Sequence, residues 1–408
     1  MPNQTEQAAP VRLAYIGCWY KNDMYSHNCS NLVDSLRDAG TTVDVITSNC
    51  RCFSSAQKFS IAKDELINAH CSPVAIPHAP RTPGKKHGIM RYLAVKVLRL
   101  DLLLATARGF LYYTRARHAD VIHFDQVLEA FGCIPLFILI ALAHRAGKRV
   151  VVTVHEIDPF QLKHKRFNRL YSKCAEVLVY SENMKQQMID LGATAQNMRV
   201  IRYGAHIPEL LTLDRTHYIY FGGHNITRGK GYAEMIDALV FLKSSGVRIS
   251  LVIYVGYGCN GLAKAKQLAV TKNVADMIQW QDFYSAEELA KVYQQSKACI
   301  IPFTGGSARH PLTTAMVNAT PVIATRAVDI PEYLEDLGIY VDGSAASIAQ
   351  AVTTIEGGKM DLKTLGKDLR AKALLELDYG KIARDLSAEY ARISGPAKLL
   401  QILPKATA

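Results

Sequence analysis

The sequence predicts an α/β protein built from two doubly wound, parallel-sheet domains. Three observations carry that prediction. Short apolar runs alternate with helix-length segments along most of the chain. The alternation restarts at His217, after a break near residues 204–215. A length of 408 residues, with 49% hydrophobic and 21% charged content, suits two or three cores rather than one.

The elements follow in order. Residues 11–17 form the first strand, residues 29–39 a helix and residues 42–47 the second strand. Residues 121–124 form a strand that ends at Asp125, and an apolar helix follows over 130–145. Residues 149–154 form the next strand, ending at His155; 177–180 and 200–202 complete the first set. In the second half, the strand YIYFGG leads to the loop HNITRGKG and a helix over 231–244. Strands follow at 249–255 and 277–281, then a helix over 286–295. The domain reading is a disordered tail over 1–10, a first domain over 11–205, a second over 206–378, and a final segment, 379–408, whose helix crosses back to the first domain. Ligands of such sheets bind at the carboxyl ends of the strands.

Composition excludes several classes. The longest uncharged apolar run, residues 130–143, is interrupted by Pro135 and is too short to span a bilayer. The start, MPNQTEQAAPVR, lacks the charged-then-apolar pattern of a signal peptide. Nine cysteines without paired spacing suit a reducing compartment and buried thiols. Cys50 and Cys52 have no matching second pair, so a metal site is not expected there.

The most informative stretch is residues 299–332, CIIPFTGGSARHPLTTAMVNATPVIATRAVDIPE. An apolar strand over 299–302 runs into the turn Gly305-Gly306-Ser307, and a helix opened by Pro311 follows. A second apolar strand covers 321–324. A small turn feeding a helix N-terminus is suited to anions, because free N–H groups and the helix dipole point at it. The same pattern also fits an ordinary strand-loop-helix unit.

The second half resembles family 4 of the retaining, nucleotide-sugar-dependent glycosyltransferases. The resemblance rests on FGGHNITRGKG, then VGYG after a strand, then the EEL helix-strand, TAMVNATPVIAT and DIPE, over residues 215–345. The first half matches in strand plan and in VIHFDQ and TVHEIDP. The resemblance implies the GT-B fold, two Rossmann-like domains facing across a cleft. It also implies transfer of a sugar from a nucleotide diphosphate sugar, with no cofactor beyond that co-substrate.

Residue by residue, the resemblance assigns roles. Arg228 and Lys230 stand where the family holds the donor phosphates, and positive charge there stabilises the departing diphosphate. Gly223 and His224 stand where the family's arginine often sits, so His224 shares that candidacy. The family's two glutamates, eight positions apart, are Gly306 and Thr314 here. Gly305, Gly306 and Ser307 then approach the phosphate or sugar through backbone N–H groups. Thr313 and Thr314 offer hydroxyls, and Arg309 and His310 add charge and hydrogen bonding. Phe283 lies where the nucleotide base usually packs. In the first domain, Asp125 and His155 end neighbouring strands and would serve as catalytic residues, with Glu156 and Asp158 nearby. The bland readings are a helix cap for Asp125 and a buried, hydrogen-bonded side chain for His155. The chain contains no Asp-x-Asp triplet, which predicts catalysis without a metal.

The net charge of +12 is uneven. Residues 1–205 hold 26 Lys/Arg against 16 Asp/Glu, whereas 206–408 hold 22 against 20. Residues 85–117 carry eight Lys/Arg and one acid, Asp101, among large apolar residues. Such a segment suits an anionic membrane surface. A nucleic-acid partner is not predicted, since no recognition module is visible. These features imply a cytoplasmic enzyme, peripheral on the inner face of the plasma membrane, extending a glycan or a lipid-linked acceptor. A catalytically silent GT-B subunit and a nucleotide-sugar epimerase or hydrolase are the alternatives.

Overall fold

The computed structural model describes residues 11–17, 26–47, 100–125, 133–155, 157, 170–226, 229–281 and 285–395. The chain divides into two units. The first comprises Met1–Ile201 with Tyr379–Ala408, and the second Arg202–Asp378.

In the first unit the order is β1 (Arg12–Gly17), α1 (Ser26–Asp38), β2 (Thr42–Thr47), α2 (Leu100–Ala116), β3 (Val121–Asp125) and α3 (Cys133–Arg145). Then come β4 (Arg149–Thr153), β5 (Glu176–Val179), α4 (Glu182–Asp190) and β6 (Met198–Val200). All pairings are parallel, in the order β2-β1-β3-β4-β5-β6. The strands are apolar on both faces because both faces are covered. Leu13, Tyr15, Val43 and Val45 point to one core, and Ala14, Ile16, Ile122 and Phe124 to the other. β6 sits two residues earlier than the sequence predicts, since Met198, not Val200, meets Val177 in the ladder.

The second unit runs β7 (His217–Asn225), α5 (Tyr232–Ser244), β8 (Leu251–Asn260), α6 (Leu262–Thr271), β9 (Ile278–Gln281), α7 (Ala286–Gln294) and β10 (Ser296–Ile301). It continues with α8 (Arg309–Val317), β11 (Val322–Ala324), α9 (Ile330–Leu334), β12 (Ile339–Tyr340), α10 (Ala345–Glu356) and α11 (Leu362–Glu376). The sheet is again parallel, in the order β12-β11-β10-β7-β8-β9. Several of its helices have identifiable starts: Ser285 makes a capping box with Glu288, and Ser344 and Asp361 cap α10 and α11. The segment 202–216 belongs to this unit, where Tyr203 N–H donates to Tyr333 Oη at 3.1 Å and Ala205 bridges Asp378.

The last described helix, α12 (Tyr379–Ser394), packs on α1 and the first sheet through Ile382, Leu386 and Tyr390. Polar contacts fix its register. Thr41 and Ser387 share a hydroxyl bond of 2.7 Å, and Arg199 meets Glu389 at 2.9 Å. Tyr390 Oη lies 2.7 Å from His123 Nδ1, while His123 Nε2 lies 2.7 Å from Thr153 Oγ1.

His123 is fully buried, and desolvation lowers its pKa to about 4, against a smaller opposing pull from Asp125. The fold therefore favours neutral imidazole, and its contribution is complete above pH 6.5 and fades as pH falls toward 4. We expect His123→Gln to cost about 2–3 kcal/mol more at pH 7.5 than at pH 4.5, measured by denaturant unfolding of the full chain. A cost independent of pH would show that His123 is not held neutral.

Candidate active site

Side-chain alternation builds the first polar cluster. Residues 121, 123 and 125 share one face of β3, and Thr153 pairs with Asp125 across β4. One step further along, His155 and Tyr180 continue past the ends of β4 and β5. The result is a polar ladder, with His123, Thr153 and Tyr390 below and Asp125, His155 and Tyr180 above. Tyr15 of β1 joins both levels: its ring meets His123 edge-on at 5.1 Å and its hydroxyl donates to Asp125 Oδ2. His155 Nε2 lies 2.5 Å from Asp125 Oδ1 and 3.1 Å from Tyr180 Oη.

This geometry separates the two candidates. Asp125 is 3% exposed with both oxygens engaged. His155 is the more open of the pair, with a side chain 15% exposed against 4%. A carboxylate behind an imidazole orients the ring. Glu156 and Asp158 lie outside the described residues. In the sequence alone Tyr15 and Tyr180 read as core, like any tyrosine in an apolar strand. The signal that sets them apart is position, near the ends of parallel strands.

The second cluster lies at the carboxyl ends of β7 and β10. The backbone of Gly229 accepts from Thr304 N–H at 3.0 Å and Gly305 N–H at 3.2 Å. Gly231 then enters α5 with φ +67°, and a Cβ there would lie well inside contact distance of the Pro302 carbonyl oxygen. Between them, Lys230 is held at both ends. Its carbonyl accepts from Tyr220 Oη at 3.0 Å. Its ammonium sits 4.0 Å over the Phe303 ring and donates to Ser307 O at 3.2 Å. Thr325 Oγ1 donates to Phe303 O and braces the same turn.

Other predicted residues fall as follows. Gly306 takes φ +75° with open space around its Cβ position, so the turn needs glycine for conformation rather than for room. Gly305 N–H is already bonded to Gly229, which removes it from the set of N–H groups aimed at a ligand. Gly223 is inside β7 with φ +61°, against the Phe221 ring. His310 also rests on Phe221, edge-on at 5.4 Å, and Phe221 stacks on Tyr254 at 5.1 Å. Thr314 Oγ1 donates to His310 O at 2.7 Å, and Thr313 Oγ1 to the same oxygen at 3.4 Å. Both hydroxyls keep accepting capacity. His224 is described in its backbone only, within β7. Arg228 and Phe283 lie outside the described residues.

Two expectations need correction. Helix α8 opens at Arg309, not Pro311, which lies in its first turn. Arg309 was expected to face the donor. It turns inward instead, 5% exposed, and pairs with Asp329 at 2.7 Å. A buried arginine needs its counter-charge, and Asp329, at the start of α9, supplies it. The helix start Ala308-Arg309 carries no side-chain cap bond.

Comparison with known proteins identifies the family. Residues 29–207 match the model of glycosyltransferase family 4, and residues 215–356 that of glycosyl transferases group 1. The chain belongs to the glycosyltransferases. No curated protein matches its sequence. Among solved structures, a glycosyltransferase from Rickettsia africae is similar with a TM-score of 0.70 and 13% identity, over 94% of this chain and 98% of that one. Sucrose-phosphate synthase from Thermosynechococcus elongatus gives 0.69 and 16%, over 94% and 99%. Anabaena HepE, solved with UDP and glucose, gives 0.66 and 14%, over 94% and 100%. The two six-stranded parallel sheets with interleaved helices are the GT-B fold of these neighbours.

The glycine contact supports the whole second cluster. Gly231→Ala must displace Pro302 and adopt a left-handed conformation, and we expect it to cost about 2–4 kcal/mol in denaturant unfolding. Gly306→Ala, with the same sign of φ but open space, should cost only about 1 kcal/mol. Equal costs would contradict the packing described.

Proposed function

We propose that this glycosyltransferase moves a sugar, with retention of anomeric configuration, from a nucleotide diphosphate sugar to a glycan or lipid-linked acceptor. The observation that carries the reading is Lys230. A cation fixed by Ser307 O and the Phe303 ring, beside an uncapped helix start, is pre-arranged for a diphosphate. Negative charge grows on the departing phosphate as the bond to the anomeric carbon breaks. A cation already in place there needs no reorganisation. On this reading the ammonium and the helix dipole do the electrostatic work without a metal. HepE has been solved with UDP-glucose, which supports the same donor class.

In the first unit, His155 offers the imidazole that meets the acceptor hydroxyl or the donor sugar, with Asp125 as its positioning residue. Retention follows from the family resemblance. The acceptor class draws support from WaaB, a lipopolysaccharide outer core galactosyltransferase of the same fold, similar at a TM-score of 0.60. The basic segment 85–117 is read as the surface that meets an anionic membrane from the cytoplasmic side. Its described part, α2, packs Tyr112 and Ala116 inward and leaves Phe110 57% exposed. No helix among the described residues is long and apolar enough to cross a membrane.

A panel of radiolabelled nucleotide sugars with membrane lipid extract tests the reading. Label should pass into lipid or glycan, and Lys230→Ala should lower turnover by about 100-fold or more. Isomerisation or hydrolysis without transfer, or binding without either, would favour the alternative activities. Unchanged transfer by Lys230→Ala would remove its role. Separately, replacing Lys85, Lys86, Arg91 and Lys96 with Gln should weaken binding to anionic liposomes in a salt-dependent way. Equal binding of the native protein to neutral and anionic liposomes would remove the membrane argument.

A further inference from the structure

The second sheet carries a cavity of about 420 Å³ that the transfer site does not use. Its sheet residues alternate, as one face of a sheet requires: His217 on β7, Ser250 just before β8 and Val252 within it, and Gln279 and Gln281 on β9. Trp280 therefore faces the other way. The wall opposite is the end of α7, with Val292 and Gln295. Strand β9 is the sheet edge among the described strands. It lies against the amino-terminal parts of β7 and β8, whereas the Gly305–Ser307 turn follows the carboxyl end of β10.

The lining has a definite chemistry. Among the described residues that line it there is no Lys, Arg, Asp or Glu. Gln279 Nε2 donates to Ser250 Oγ at 3.0 Å, which leaves its carbonyl oxygen as an acceptor. His217 Nε2 donates to Val292 O at 3.1 Å, so Nδ1 is the acceptor facing Thr216 Oγ1 at 3.2 Å. Burial also lowers the His217 pKa, which favours the neutral ring. Val252 and Val292 give an aliphatic floor beside that imidazole.

We propose that this cavity is a second saccharide-binding site, taking a neutral sugar unit of a glycan chain. A carboxamide presents donor and acceptor together, the pairing that a ring hydroxyl and its neighbour require. The described lining offers a charged ligand no counter-charge, and it offers a nucleobase no ring larger than the His217 imidazole. The volume lies in the range of small-ligand sites. A site at this end of the strands holds glycan without competing with the donor. This goes beyond the transfer reaction, because saccharide binding here requires neither donor nor turnover.

Saturation-transfer NMR on the full chain tests it, with neutral gluco-, galacto- and manno-configured oligosaccharides of two to four units. Uronate oligosaccharides and UDP serve as controls. At least one neutral oligosaccharide should give a signal that survives excess UDP and persists in Lys230→Ala. Gln279→Leu/Gln281→Leu, at the exposed edge, should reduce that signal at least fivefold. Gln295→Trp, which fills the cavity from α7, should do the same while thermal unfolding stays unchanged. The proposal is overturned by the absence of any neutral-sugar signal. It is equally overturned by a signal undiminished in both cavity variants, one displaced by UDP, or one seen with charged ligands alone.

Discussion

The backbone contact between Gly229–Gly231 and Pro302–Gly305 is the constraint on which the second unit's chemistry depends. Two loops, each leaving the carboxyl end of a neighbouring parallel strand, can share space only where one lacks a side chain. Gly231 meets that condition against the Pro302 carbonyl. Once the loops are pressed together, Gly229 O receives two N–H donors from the facing turn. Lys230, between them, runs along Phe303 to Ser307 O. The position of the cation is thus a consequence of backbone packing. It does not depend on a flexible side chain finding its partner, and little ordering entropy remains for a ligand to overcome.

The first unit solves a different problem, the placement of polar groups in a sheet covered on both faces. Its answer is to stack them in register on one face, each satisfied by the next strand or by α12. His123 is bonded to Tyr390 and Thr153, and Asp125 to Tyr15 and His155. Burial without partners would be costly at each position. Because Tyr390 belongs to α12, the chain's last described helix helps to hold the layer beneath Asp125. The return of that helix is therefore tied to the polar ladder as well as to the apolar core that Ile382 and Leu386 build.

Much of the fold was legible because parallel strands buried on both faces must be continuously apolar, and each such run stood out between polar loops. The legibility failed where local pattern and tertiary pairing diverge. The β6 strand carries Arg199 between Met198 and Val200, so its start could not be told from apolar content alone. Pro311 looked like a helix opening, yet proline is tolerated anywhere in the first turn, and the helix begins two residues earlier. Arg309 looked like a ligand group because its partner, Asp329, is distant in sequence and reads as a loop residue. Tyr15 and Tyr180 looked like core. Their hydroxyls acquire meaning only when the strand order β1-β3-β4-β5 brings four strand ends together.

The missing carboxylates at Gly306 and Thr314 shift where a donor would be held. At position 314 the hydroxyl donates into its own helix, which leaves its lone pairs as a neutral acceptor. A neutral acceptor holds a ribose hydroxyl about half as strongly as a carboxylate does. At position 306 the backbone conformation is retained and the space is open. On the proposed reading, a carboxylate there would sit beside the diphosphate and repel it, so its loss weakens a contact to the sugar but also removes a like charge. On the proposed reading, the balance of recognition therefore moves from the two sugars toward the diphosphate between them. That is the end of the donor where negative charge grows as the bond breaks, and there Lys230 is held by three separate contacts to Tyr220, Phe303 and Ser307. Interactions placed there favour the transition state over the ground state, whereas a lost ribose contact weakens both alike.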